Sequence, residues 1–209
     1  MKKSLNTLLA FLILCSVLVC GCACEKSTYD PRAQWITIQG RDISLRLPTY
    51  FRGGDPADPA VVSVLGKMAE STSNPDERER LVEWLDVAQS SANLHGSPIL
   101  MAWAAPDDGG SVASVTVSWD SLQNLLAFSD GDSSTRALVE ARMYPLVEPE
   151  WEFESLTADE ARVVAHYDEG TEYASAELTL FKRYGELFYD VLYSCPEESW
   201  DEEEERWKG

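Results

Sequence analysis

Apolar and polar residues alternate near the start of this chain in a pattern typical of β-strands. From Ile43 to Leu47 every second residue is aliphatic, which is the period of a half-buried strand, and the shorter run Trp35 to Ile38 precedes it. The polar residues 39–42 between the two runs predict a hairpin turn. Pro48 is expected to end the second strand, and Gly53-Gly54-Asp55-Pro56 to continue as a loop.

A different period, of three to four residues, predicts helices in the middle of the chain. In Asn74-Pro75-Asp76-Glu77 an asparagine cap precedes a proline and an acidic third residue, which is how many helices begin. Apolar residues then recur on one face, at Leu81, Trp84, Leu85 and Ala88. Further helices are expected from about Ser121 to Phe128 and from Ser133 to Met143, whereas Val61 to Met68 fits either a helix or a strand.

The remaining alternating segments predict strands joined by short turns. Pro98–Trp103 and Val112–Val117 are expected to be two strands on either side of a turn at residues 107–110. A later antiparallel meander, with turns at 168–170 and 183–185, is expected to contain the strands Trp151–Ser155, Ala161–Tyr167, Ala174–Phe181 and Leu187–Tyr193. Pro196 is expected to open a final helix with Trp200 and Trp207 on one side. The predicted fold class is α+β, a central antiparallel sheet flanked by helices, within a single domain at residues 35–209. We expect Ile43, Leu45, Leu47, Val191 and Tyr193 to share one hydrophobic layer of that domain.

The first 21 residues are typical of a lipoprotein signal peptide. Lys2 and Lys3 precede an apolar run from Leu8 to Val19, which is too short to span about 30 Å of hydrocarbon as a helix. The run ends in Val19-Cys20-Gly21-Cys22, where the small glycine before the last cysteine suits lipidation followed by cleavage. We therefore expect a membrane anchor at Cys22, exposure outside the cytoplasm, and a flexible tether at residues 22–34.

Alternatives remain for the cysteines. Cys24 is the second candidate for lipidation, because Ala23 before it is also small. The rival interpretation of Cys20, Cys22 and Cys24, a soft-metal or redox motif, fits poorly with their position at the end of an export segment. If Cys22 is acylated, Cys24 is left either to pair with Cys195 or to remain a thiol, and Cys195 itself is expected to be a small packed residue.

The chain is strongly acidic, with 17 basic and 36 acidic residues and a formal charge of −19. This charge argues against a nucleic-acid partner, whose phosphates require lysines and arginines, and against lying flat on anionic lipid. Solubility near a charged envelope is the simplest explanation, and loose binding of divalent cations is the alternative.

No residue set has the spacing of a catalytic, cofactor-binding or metal site. His95 and His166 are too far apart in sequence to form a close ligand pair, and there is neither a nucleophile elbow nor a phosphate loop. Asp107-Asp108 provides an acidic pair that glycoside hydrolysis would need, but so many acids make such a pair unremarkable. Asp130-Gly131-Asp132 lacks the spacing of a calcium loop and is read as a turn. We expect no enzyme activity and no cofactor.

Tryptophan is abundant for one domain, with seven residues. Most are expected in the core, and one or two that remain exposed would anchor a partner or stack on envelope sugar. They are Trp35, Trp84, Trp103, Trp119, Trp151, Trp200 and Trp207.

The order of these elements resembles a known family. The early strand Ile43-Ser44-Leu45-Arg46-Leu47-Pro48, the middle of helices and hairpin, and the late meander into Glu198-Ser199-Trp200 are similar to the Mog1/PsbP-like α/β/α sandwich, and more narrowly to actinobacterial lipoproteins of the LpqN/LpqT type. The resemblance implies a domain that binds a protein partner of the envelope or acts as an assembly factor, and it carries no catalytic residues. The alternative is an envelope hydrolase or small-ligand carrier that uses surface carboxylates.

Overall fold

The alternating residues after Trp35 form an antiparallel hairpin, as the pattern predicts. In the computed structural model, which describes residues 35–90, 96–104, 113–143, 150–167 and 175–201, strand β1 (Trp35–Gln39) pairs with β2 (Ser44–Pro48). The N–H of Arg41, in the turn, donates to the carbonyl of Ile99 at 2.8 Å. The hairpin is therefore attached to the rest of the fold at its tip as well as through its side chains.

The other strands form one seven-stranded antiparallel sheet. Their order across the sheet is β3-β4-β5-β9-β8-β7-β6, so β5 and β9 lie near its middle and β3 and β6 form its edges. The strands are β3 (Arg52–Gly54), β4 (Pro98–Ala104), β5 (Ala113–Ser121), β6 (Glu150–Leu156), β7 (Glu160–Tyr167), β8 (Ser175–Tyr184) and β9 (Leu187–Pro196).

Two details of the sheet differ from the sequence predictions. Gly53 and Gly54 belong to strand β3 and pair with β4, where a loop was expected. A Cβ on Gly53 would lie 2.0 Å from the carbonyl oxygen of Met101, so glycine serves here for close backbone approach. Pro196 also belongs to a strand: β9 extends through it, pairs it with Ser175, and is followed by a short 3-10 helix, Glu197–Ser199, before helical residues begin at Trp200.

The described helices pack in two pairs. Helix α1 (Pro59–Ser71) resolves the ambiguous segment around Val61 and packs on α2 (Pro75–Ser90), while α3 (Leu122–Phe128) packs on α4 (Thr135–Met143). The predicted cap of α2 is confirmed, because Asn74 Oδ1 accepts from the N–H of Glu77 at 3.4 Å. None of the helices in the described ranges is long and apolar enough to cross a membrane.

The hairpin covers one face of the sheet, here called the hairpin face. As predicted, Leu47 and Tyr193 are buried in one hydrophobic cluster, and Ile43, Leu45 and Val191 pack against it. Trp200 is buried in the same cluster. The hairpin and the last meander therefore share one core within a compact unit that begins at Trp35.

Helices α1 to α4 cover the opposite face, here called the helix face. The α1/α2 pair buries Met101 and Trp103 of β4. The α3/α4 pair buries apolar residues of β7, β8 and β9, namely Ala161, Val163, Ala165, Phe181 and Phe188. The strand registers place both sets on the same side of the sheet. The α+β fold class is confirmed.

Some predicted features lie outside the described residues. They are the signal peptide and tether at 1–34, His95, the turns at 107–110 and 168–170, and Trp207.

Candidate functional site

The middle strands of the sheet carry polar residues on the helix face, between the two helix pairs. Thr116 of β5 is paired with Met101 of β4 on one side and with Leu192 of β9 on the other. Ser114 and Ser118, two residues before and after it on β5, lie on the same face. We call these residues the polar seam; they are Ser114, Thr116, Ser118, Glu177, Thr179, Asp190 and Ser194. All of them are buried except Glu177, which is partly buried, and none belongs to a hydrophobic cluster.

One carboxyl of the polar seam lies beside a phenol. The Tyr167 hydroxyl donates to Glu177 Oε2 at 3.0 Å. Burial raises the pKa of the Glu177 carboxyl, and the hydrogen bond from Tyr167 and the charge of Arg80 hold part of that rise back. Burial also raises the pKa of Tyr167, and the neighbouring Glu177 charge adds to the rise. The phenol therefore remains a hydrogen-bond donor at neutral pH and cannot act as a base.

The second carboxyl of the polar seam is held by an arginine. Arg142 of α4 places Nε 3.1 Å from Asp190 Oδ1 and Nη2 3.5 Å from Oδ2. Burial raises the pKa of Asp190, although the Arg142 charge and hydrogen bond oppose the rise; the Asp120 charge adds to it. The carboxylate of Asp120 is itself occupied, because it accepts from the Ser121 N–H at 2.7 Å and from the Asn124 amide at 3.0 Å.

The two seam carboxyls belong to well-separated backbone positions. Glu177 lies opposite Ser194 in register, and Asp190 is four residues before Ser194 on β9. At roughly 3.3 Å per residue the two backbone positions are about 13 Å apart. Each carboxyl is also held by its own partner, Glu177 by Tyr167 and Asp190 by Arg142, so the two are engaged at separate places along the polar seam.

Two buried polar atoms of the helix face lack a hydrogen-bond partner among the described residues. They are Thr116 Oγ1, in the polar seam, and Trp103 Nε1, on the neighbouring strand. Trp103 pairs with Ser114 and Met101 with Thr116, so Trp103 and Thr116 are diagonal neighbours on one face. A buried hydroxyl or indole N–H without a partner costs stability, and a polar ligand or solvent between them would recover part of that cost.

The predicted candidate residues do not converge on this site. His166 points away from the polar seam: its Nδ1 lies 3.0 Å from both carboxylate oxygens of Glu197, and its ring meets Trp200 edge to face on the hairpin side. Asp130 and Gly131 have positive φ angles of 52° and 82°, as the turn interpretation requires. Asp108 lies outside the described residues, as does Asp107, and no group of three possible metal ligands occurs within the described ranges.

Of the cysteines discussed above, the described ranges contain Cys195 alone. Cys195 is buried in the hairpin-face cluster with 2% of its surface exposed, as expected for a packed residue. Cys22 and Cys24 lie outside the described residues, so lipidation and pairing with Cys195 stay predictions.

The tryptophans differ from the prediction in two ways, because fewer of them lie in the core than expected and none of those described is exposed. Of the six in the described ranges, Trp103 and Trp200 are buried and the other four are half-buried, so none is an exposed anchor. Among the aromatic residues that the structure describes, Phe128 (77%) and Tyr184 (63%) are the most exposed. The exposure of Tyr184 could have been predicted from its position beside the turn glycine Gly185. The polar seam could have been predicted from the alternating hydroxyl residues of β5. Neither pattern indicates a function by itself.

No protein-family model and no curated protein matches this chain. Its function therefore has to be inferred from its own residues.

Proposed function

We propose that the chain is an extracytoplasmic lipoprotein, anchored to a membrane through Cys22, that acts as a non-catalytic binding or assembly module for an envelope protein. The observation that carries the anchor is the apolar run Leu8 to Val19 followed by Gly21-Cys22. The acidic composition supports a protein partner over a nucleic acid.

The geometry of the polar seam supports binding over catalysis. Glu177 is engaged by Tyr167, and Asp190 by Arg142. Both carboxyl groups thus make hydrogen bonds that join one element of the fold to another. A domain whose buried acids hold its elements together suits the presentation of a rigid surface.

We also propose that the fold is the Mog1/PsbP-like α/β/α sandwich of the LpqN/LpqT type. The antiparallel sheet with helices on one face agrees with it. A second helical layer on the hairpin face is required, and the burial of Trp200 there, where helical residues begin, supports such a layer.

The test is photo-crosslinking of the full-length chain in its native membrane, with Cys22→Ser as the unanchored comparison. We expect the native chain to fractionate with membranes and to crosslink reproducibly to an envelope protein, and the variant to lose both properties. Turnover of an envelope glycan or ester that disappears in Glu177→Gln or Asp190→Asn would instead establish the hydrolase alternative.

A small-ligand carrier is the second candidate, and the unpartnered atoms of Thr116 and Trp103 favour it. Native mass spectrometry of the purified full-length chain tests it. A small molecule that is retained by the native chain and lost in Thr116→Val would support a carrier, whereas an unliganded mass in both would exclude a retained ligand.

A further inference from the structure

Strand β6 forms one edge of the seven-stranded sheet and pairs, within the described ranges, with β7 alone. It is seven residues long, whereas the opposite edge strand β3 has three. An edge strand presents unpaired backbone N–H and C=O groups, which form a template for an added strand. Of the two edges, only β6 is long enough to hold a peptide by several backbone hydrogen bonds.

The two faces of β6 differ in chemistry. Glu152 pairs with Val164, a hairpin-face residue, and is exposed; Glu154 is also exposed. Trp151 and Phe153 alternate with these acids and are half-buried against the α3/α4 cluster. The edge strand therefore carries the carboxylate of Glu152 on its hairpin face and the flanks of two aromatic rings on the other.

The aromatic face of β6 is well ordered by its contacts. The rings of Trp151 and Phe153 meet edge to face at 5.4 Å, and the Arg136 guanidinium lies 4.5 Å from the centre of the Phe153 ring. The register of β6 with β7 is regular from Glu150 to Phe153 and shifts between Phe153 and Ser155. An added strand is thus expected to pair with the regular part, because a bulge bends the strand away from a straight partner.

We propose, on the basis of the proposed binding role, that β6 accepts an extended segment of a partner protein in which basic residues alternate with apolar ones. Added as the eighth strand, its Lys or Arg side chains lie beside Glu152 on the hairpin face, and its apolar side chains cover the flanks of Trp151 and Phe153. Opposite charges on neighbouring strands attract, whereas like charges directly opposite repel. The acidic edge therefore selects a basic segment and rejects a second copy of this chain.

The experiment measures binding of a synthetic peptide of alternating lysine and valine to the full-length protein by calorimetry and by NMR. We expect saturable binding, with shifts of the β6 amide signals. Glu152→Lys should weaken binding by roughly fivefold or more, because it exchanges a cross-strand attraction for a repulsion. Glu79→Lys makes the same charge change at an exposed site of α2 and should have a much smaller effect.

Two further peptides separate strand addition from general attraction to an acidic protein. A peptide methylated at alternate backbone nitrogens keeps its charge but cannot pair, and it should lose most of its affinity. A peptide of the same composition with its lysines in one block should also bind weakly. Equal binding of all three peptides, or equal losses in the Glu152 and Glu79 variants, would overturn the proposal.

The acids of β6 have a competing role, which is to prevent pairing between copies of the chain. If that is their whole role, no peptide binds and Glu152→Lys increases the dimer fraction in sedimentation; this result would overturn the proposal. The proposed function is judged separately: a partner that crosslinks equally well to the native chain and to Glu152→Lys keeps the binding role and removes β6 as its site.

Discussion

Arg142 binds Asp190 across the helix face, with Nε 3.1 Å from Oδ1, and so joins helix α4 to the central strand β9. The same guanidinium lies close to the segment before β4, because a Cβ on Gly96 would come within 3.3 Å of Arg142 Nη1. One arginine of α4 thus binds β9 and lies next to the segment before β4, at one end of the polar seam.

Arg142→Ala is expected to destabilise the protein by about 3 kcal/mol, because it leaves the carboxylate of Asp190 buried without its cation. Urea denaturation measures the loss. Glu140→Ala is the control on the same helix: its pair with Arg136 is 3.6 Å long and about half exposed, so the loss should stay within about 1 kcal/mol. Equal losses in the two variants would contradict a special role for the Arg142 pair.

Glu177→Gln is expected to change how stability depends on pH. The folded-state pKa of Glu177 is raised above its ordinary value of 4.5, so the folded state binds this proton more tightly than the unfolded state. The contribution of the Glu177 proton to the free energy of unfolding is fully present below about pH 4.5 and is lost as pH rises through the folded-state pKa. The free energy of unfolding of the native chain, relative to Glu177→Gln, should therefore fall between pH 4.5 and neutral pH.

Tyr167→Phe provides an internal check on that prediction. The Tyr167 hydrogen bond lowers the Glu177 pKa, so its removal should raise the folded pKa further and extend the pH-dependent range upward. A range that moves downward would contradict the assigned cause.

Thr116→Val is expected to stabilise the protein by about 1 kcal/mol, since it replaces a buried hydroxyl that has no hydrogen-bond partner among the described residues by a methyl group of similar size. Thr135→Val should have the opposite effect and similar size, because the Thr135 hydroxyl donates to the carbonyl of Ala158. Thermal denaturation of both variants measures the difference. Destabilisation by Thr116→Val would mean that the hydroxyl is satisfied by a bound molecule.

Gly53→Ala is expected to cost about 3 kcal/mol, because the new Cβ would lie 2.0 Å from the Met101 carbonyl oxygen and 2.5 Å from Ala102 Cα. Gly66→Ala, inside α1, meets no atom within 4 Å and should stabilise the protein by about 0.5 to 1 kcal/mol. Chemical denaturation compares the two. A mild effect at Gly53 would argue against strand β3.

Mass spectrometry of the mature protein should find an acylated cysteine followed by Ala23, because Val19 and Gly21 precede Cys22 at the positions that lipidation requires. Cys22→Ser should release the protein from the membrane, and Cys24→Ser should leave it attached. Acylation found at Cys24 would move the anchor, and an uncleaved leader would remove it.

Local patterns were sufficient to predict the elements that face water on one side. The alternation of Ile43, Leu45 and Leu47 predicted both the hairpin and the shared layer with Tyr193, because one polar and one apolar face leave a single way to pack. The cap at Asn74 predicted α2, since capping depends on residues adjacent in the chain.

The sequence by itself determined the acidic charge, the apolar run from Leu8 to Val19 with the cysteines that follow it, and the antiparallel α+β class. Only the tertiary structure decided that Gly53 is a strand residue, since a close approach to Met101 depends on a strand distant in sequence. It also decided that the face carrying Thr116 is covered, that the tryptophans in the described ranges are at least half-buried, and that β6 is an edge. These properties depend on which elements meet, and contacts between residues far apart in the chain leave no mark on local periodicity.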